Sequence, residues 1–130
     1  MDTDDYTQPL EAVIREERKP RPAPLRARDH VELFDAWTRA NPEAMREIEL
    51  TALAIDARGL RVSAKYLIEK QRYEGRAKLN PVSFVDAHGV ERRYGICNTI
   101  TPLLARWLLE RHPDMNIWVK HSYFDDLEDE

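Results

Sequence analysis

The side chains able to do chemistry in this sequence are few and scattered. The four histidines are His30, His88, His112 and His121, and none stands at metal-ligand spacing from another histidine or from the single cysteine. Zinc sites draw three or four such ligands together, commonly through short spacings. His112 and Asp114 are close, but they flank Pro113 at the end of an apolar-patterned helix, where a histidine suits the helix dipole. Cys97 precedes a helix, a position that can lower a thiol pKa. Its neighbours are apolar and no histidine is tied to it, so it reads as a structural thiol. The chain has no G-x-S-x-G turn and no phosphate-cradling loop, and its glycines are Gly59, Gly75, Gly89 and Gly95. The expectation is a chain with no catalytic residues, no metal site and no cofactor, and hence not an enzyme.

Asp86 with Glu91-Arg92-Arg93 supplies part of the Asp…Glu-x-Lys pattern that holds magnesium in nucleases. Arginine replaces the lysine and cannot serve as a base near neutral pH. Asp86 is therefore read as a turn residue. Nucleic-acid binding fits the side chains better. Net charge is −4 overall, yet residues 59–120 hold an excess of basic side chains, flanked by acidic ends. Lys65, Lys70, Arg72, Arg92, Arg93 and Arg106 would neutralise phosphates, the main source of non-specific affinity. Arg61, Arg76 and Lys78 add to the basic segment, which is interleaved with Tyr66, Tyr73 and Tyr94. Asn98, Thr99 and Thr101 stand at a helix start, where side chains and free N–H groups can meet phosphates or base edges. Asn98 and Thr101 also fit as helix caps.

The elements that must position these groups are read from period and punctuation. The chain has 130 residues, 42% hydrophobic and 34% charged, which suits one domain of ordinary size. A short helix is expected over 7–18, followed by a proline-rich linker, so residues 1–28 form an arm. The compact domain is expected over 29–124, and 125–130 as an acidic disordered tail. Asp29 is expected to cap a helix carrying Val31, Phe34 and Trp37, ending before Asn41-Pro42. Asn41 caps a second helix with Met45, Ile48, Ala52 and Ile55 inward, stopped by Gly59. Ser63 caps a third over 64–74, closed by Gly75. A hairpin turns at Asp86–Gly89. A helix over 99–112 buries Ile100, Leu103, Leu104, Trp107 and Leu108. A strand over 116–120 is expected beside the hairpin, with Trp37, Trp107 and Trp118 all in the core. The fold class is mainly α with a small β-hairpin, an α+β chain, and helix-turn-helix or winged-helix-like in its order of elements.

The order of Phe34-Asp-Ala-Trp-Thr-Arg-Ala-Asn-Pro42, Ser63-Ala-Lys65, Ile68-Glu-Lys-Gln-Arg-Tyr73 and Asn98-Thr-Ile-Thr-Pro-Leu-Leu-Ala-Arg-Trp-Leu-Leu-Glu-Arg-His-Pro113 resembles a group of small phage and prophage proteins of unassigned function. The resemblance covers about residues 34–120. The group has an asparagine run where this chain has Cys97-Asn-Thr-Ile100, and the 82–94 hairpin is an insertion relative to it. The resemblance implies a phage or mobile-element origin and supplies no activity. The leading expectation is a phage-type accessory protein that binds nucleic acid, DNA in the first instance. The alternative is an inhibitor or adaptor that uses acidic surfaces against a host protein complex. No apolar run is long enough to span a membrane and the N-terminus has no signal peptide, so the expected location is cytoplasmic, in the host if phage-encoded. A homodimer is compatible with this reading.

Overall fold

A computed structural model of the chain describes residues 20–119. The expected 7–18 helix and the acidic tail at 125–130 lie outside the described residues. Four helices and one hairpin follow in order: α1 (Ala27–Ala40), α2 (Pro42–Ala57), α3 (Ala64–Glu74), β1 (Val82–Val85), β2 (Glu91–Tyr94) and α4 (Thr101–Arg111). A single 3-10 turn, Asn98–Ile100, leads directly into α4. The chain is thus mainly helical with a small antiparallel sheet of two strands, as the hydrophobic periods predict. None of its described helices is long and apolar enough to cross a membrane.

Residues divide into two contact units. One contains residues 20–24 and 83–92; the other contains 25–82 and 93–119. In the larger unit α2 packs on α1 and α3, and α3 also packs on α4. Trp37, Ile48, Leu67, Ile68, Ile100, Leu104 and Leu108 form its core. These residues recur at helical spacing, so each helix turns one apolar stripe inward. Val31, expected on the buried face of α1, is instead 38% exposed.

The helix ends show how local chemistry sets the frame. α1 begins before Asp29, so Asp29 is not its first cap. It sits in the first turn and reaches back, its Oδ2 accepting the Arg26 N–H at 2.8 Å. α1 stops at Ala40, ahead of Asn41-Pro42, as expected. Asn41 occupies the N-cap position of α2 but makes no side-chain cap bond. Its side chain is buried and spent elsewhere. Nδ2 donates to the carbonyls of Trp37 at 2.9 Å and Asn80 at 2.8 Å, while Oδ1 accepts the Asn80 N–H at 2.6 Å. One side chain therefore fastens the α1–α2 corner to the segment that precedes the hairpin.

α2 ends in a Schellman turn. Gly59 has φ +75°, its N–H donates to the Asp56 carbonyl at 2.9 Å, and the Leu60 N–H donates to the Ile55 carbonyl at 3.4 Å. Ser63 caps α3 as expected, accepting the Tyr66 N–H at 3.2 Å. Gly75 closes α3 for a steric reason: a Cβ there would lie 2.5 Å from the Gln71 carbonyl and side chain.

Gln71 is buried and donates to Glu47 Oε2 at 2.9 Å. The same carboxylate accepts the backbone N–H groups of Arg76 and Ala77, each at 2.9 Å to Oε1. Glu47 thereby joins α2 to α3 and to the chain leaving α3. The Gln71 donor, then the Ala77 and Arg76 N–H groups, hold its carboxyl below the ordinary 4.5 against the opposing effect of burial. A second carboxylate, Glu49, accepts from Arg111 Nε at 2.5 Å and lies 3.0 Å from His112 Nε2, which ties α2 to the end of α4.

The C-terminal described segment departs from expectation. The described part of the expected 116–120 strand, residues 116–119, does not extend the hairpin. Ile117 instead forms an isolated parallel bridge with Val62, and the Val62 N–H donates to the Asn116 carbonyl at 2.8 Å. Asp56 Oδ1 accepts the Asn116 N–H at 2.9 Å and fixes the approach.

A carboxyl whose folded pKa is lowered stabilises the fold above its ordinary value, and that contribution is lost as pH falls through the folded value. Glu47→Gln should therefore lower the Tm at pH 7, with a deficit that shrinks as the pH drops below about 4.5. A Tm series against pH for both chains checks this; a deficit independent of pH contradicts the role given to the charge.

Candidate nucleic-acid interface

The hairpin unit accounts for Asp86 and Arg92. The Asp86 side chain is 2% exposed, and its oxygens accept the N–H groups of Ala23 at 2.9 Å, His88 at 2.9 Å and Val90 at 3.0 Å. Burial on its own would raise this carboxyl. The Ala23, Val90 and His88 donors and the nearby Arg92 charge outweigh it, and the pKa lies below the ordinary 3.8. Gly89, with φ +77°, completes the turn. Asp86 is a turn residue with its acceptors engaged, as the sequence indicates.

Arg92 donates to the Ala23 carbonyl at 2.7 Å, sits 3.6 Å from Asp86 Oδ2 and lies over the Phe84 ring at 5.5 Å. Its guanidinium is committed within the unit, so Arg92 is a weak candidate for phosphate. Arg93, the next residue on β2, is exposed. Strand alternation separates the fates of the two arginines.

In the larger unit, three of the expected site residues converge. Lys65, Asn98 and Thr101 line one groove of about 560 Å³, together with Arg61 and Trp118. Lys65 comes from the first turn of α3, Asn98 from the 3-10 turn and Thr101 from the first residue of α4. The expected caps are not made here: neither Asn98 nor Thr101 accepts a capping bond, and Pro102 lies in the first turn of α4. Both side chains are therefore available to the groove. Thr99 is exposed beside Asn98 on the same turn.

The other expected cations are elsewhere. Lys70 is 3.7 Å from Glu74, one turn along α3. Arg72 is exposed, with its guanidinium 5.5 Å from the Tyr73 ring. Arg106 is half-buried on α4, one turn beyond Pro102. Tyr66 and Tyr73 are exposed, whereas Tyr94 is buried with its hydroxyl 2.8 Å from His30 Nδ1. Cys97 is half-buried at the start of the 3-10 turn. Among the described residues no three histidine, cysteine or acidic side chains are grouped to hold a metal ion.

Of the other groove residues, the sequence places Arg61 only in the general basic segment and Trp118 in no site. Trp118 was expected in the core, yet it is 68% exposed, against 1% for Trp37. Trp107 is intermediate, with Arg111 at 4.9 Å from its ring. The Arg61 guanidinium lies over the Trp118 ring at 4.4 Å. The signal was the two-residue period: with Ile117 turned inward, its neighbour must face out. Neither Arg61 nor Lys65 is ion-paired with a described residue, and no acidic side chain lines the groove among those residues. A second groove, of about 430 Å³ beside Trp107, differs in this respect. Its Arg39 pairs with Asp35 at 2.6 Å and its Arg111 with Glu49.

No protein-family model, no curated protein and no solved structure matches the chain.

Arg92→Ala should loosen the hairpin, seen as faster hydrogen exchange at the His88 and Val90 amides, whereas Arg93→Ala should leave both rates within about twofold. Equal effects of the two substitutions would contradict the committed role of Arg92.

Proposed function

We propose that this chain is a nucleic-acid-binding accessory protein of phage or prophage type, and that its contact surface is the groove between the start of α3 and the start of α4. The observation that carries the reading is the lining of that groove. It combines Arg61 and Lys65, two cations with no acidic neighbour in the described lining, with Asn98, Thr101 and an exposed tryptophan. Cations positioned by a fixed scaffold neutralise phosphate and release counterions. The first turns of α3 and α4 add positive potential of the same sign. Asn98 brings both a donor and an acceptor, which suits a base edge. The phage-type origin rests on the order of sequence segments across 34–120.

The net charge of −4 does not oppose this reading, because binding responds to the local field and not to the sum. A helix-turn-helix form of the reading would use α3 with α4, the helix that opens with Asn98 and Thr101. The chain between them, residues 75–97 with the hairpin included, is far longer than the roughly 3–4 residues of that motif. The groove therefore carries the proposal, and Lys70, Arg72, Arg93 and Arg106 lie outside its lining.

Binding of a mixed-sequence DNA oligonucleotide at two salt concentrations tests it. Affinity should fall as salt rises, and Arg61→Ala with Lys65→Ala should reduce the log–log salt slope by about 2, roughly one per cation. No binding at low salt, or an unchanged slope in the double variant, overturns the assignment.

A further inference from the structure

We infer that the groove takes an unpaired nucleotide, with its base stacked on Trp118 and its flanking phosphates on Arg61 and Lys65. This rests on the nucleic-acid reading above and adds the class of strand. The starting observation is the exposure of Trp118, 68% in a chain that buries Trp37 almost completely. An indole is among the largest apolar surfaces a side chain can hide, and leaving it in water forgoes that gain. Its position is held by the two residues that precede it. Ile117 is buried in the bridge to Val62, and the Asn116 N–H is bonded to Asp56. The backbone that leads into the exposed ring is thus anchored.

The surroundings of the ring suit a base more than an apolar partner. The Arg61 guanidinium lies over one face of the Trp118 ring at 4.4 Å, which puts a cation beside the aromatic surface and leaves the other face for a base. The groove volume of about 560 Å³ lies within the range that holds small ligands. Asn98 and Thr101, on the same groove, offer hydrogen bonds to a base edge. Stacking of a base on an aromatic side chain requires that the base be out of a duplex, where its faces are already occupied. A basic groove with a stacking ring is the arrangement by which proteins hold single strands.

The experiment compares three probes of equal length: a mixed-sequence single-stranded DNA, the same sequence as a duplex, and a fully abasic deoxyribose-phosphate strand. The native chain should bind the single strand about tenfold or more tighter than the abasic strand and tighter than the duplex. Trp118→Ala should erase the difference between the first and third probes, a loss of about tenfold on stacking magnitudes, while Trp118→Phe keeps most of it. Circular dichroism confirms that both variants fold. If Trp118→Ala leaves single-strand affinity unchanged while Lys65→Ala weakens all three probes, the stacking inference falls and the nucleic-acid reading stands. If no probe binds at low salt, both fall. Equal affinity of the native chain for single strand and abasic strand also overturns the inference.

Discussion

The contact between Val62 and Ile117 is the constraint on which the rest of the candidate site depends. Both side chains are buried, and the bridge joins the short connector after α2 to the last described segment of the chain. An extended residue turned inward forces its neighbours outward. Burial of Val62 therefore exposes Arg61, and burial of Ile117 exposes Trp118. Because the two strand-like segments are hydrogen-bonded, the exposed pair meets, guanidinium over indole. The groove owes its aromatic and one of its cations to a two-residue β contact in a mainly helical chain.

Buried and half-buried polar side chains hold the helices that form the remaining walls. Asn41, Glu47 and Gln71 each satisfy backbone or side-chain groups that would otherwise lose water without replacement. No buried side-chain nitrogen or oxygen among the described residues lacks a partner. Glu49, paired to Arg111 and His112, fixes the far end of α4 against α2. These bonds hold the C-terminal ends of α3 and α4 against α2, the frame from which Lys65 and Thr101 project at the opposite ends.

Much of the architecture was legible in the sequence. Asn41-Pro42, Gly59, Ser63 and Gly75 mark helix boundaries by strong local rules, and the structure follows them. The Asp86–Gly89 turn is equally local. The misreadings came from long-range partners. Asn98 and Thr101 satisfy the capping rules by type, yet a 3-10 turn entering α4 leaves their side chains uncapping. Asn116–Lys120 looks like a third strand because its residues favour β structure, but Ile117 pairs with Val62, more than fifty residues away. Size and apolarity alone place Trp118 in the core, and only the inward turn of Ile117 reverses that. Arg92 and Arg93 look equivalent in sequence and are separated only by which side of β2 each occupies.

Mapping the contact surface on the isotopically labelled chain tests the central claim most directly. On addition of a short mixed-sequence single-stranded oligonucleotide, backbone amide shifts should move at residues 61–65 and 98–101, and the Trp118 indole N–H should move with them. Shifts confined to residues 83–92, or none at low salt with the oligonucleotide in excess, would contradict it.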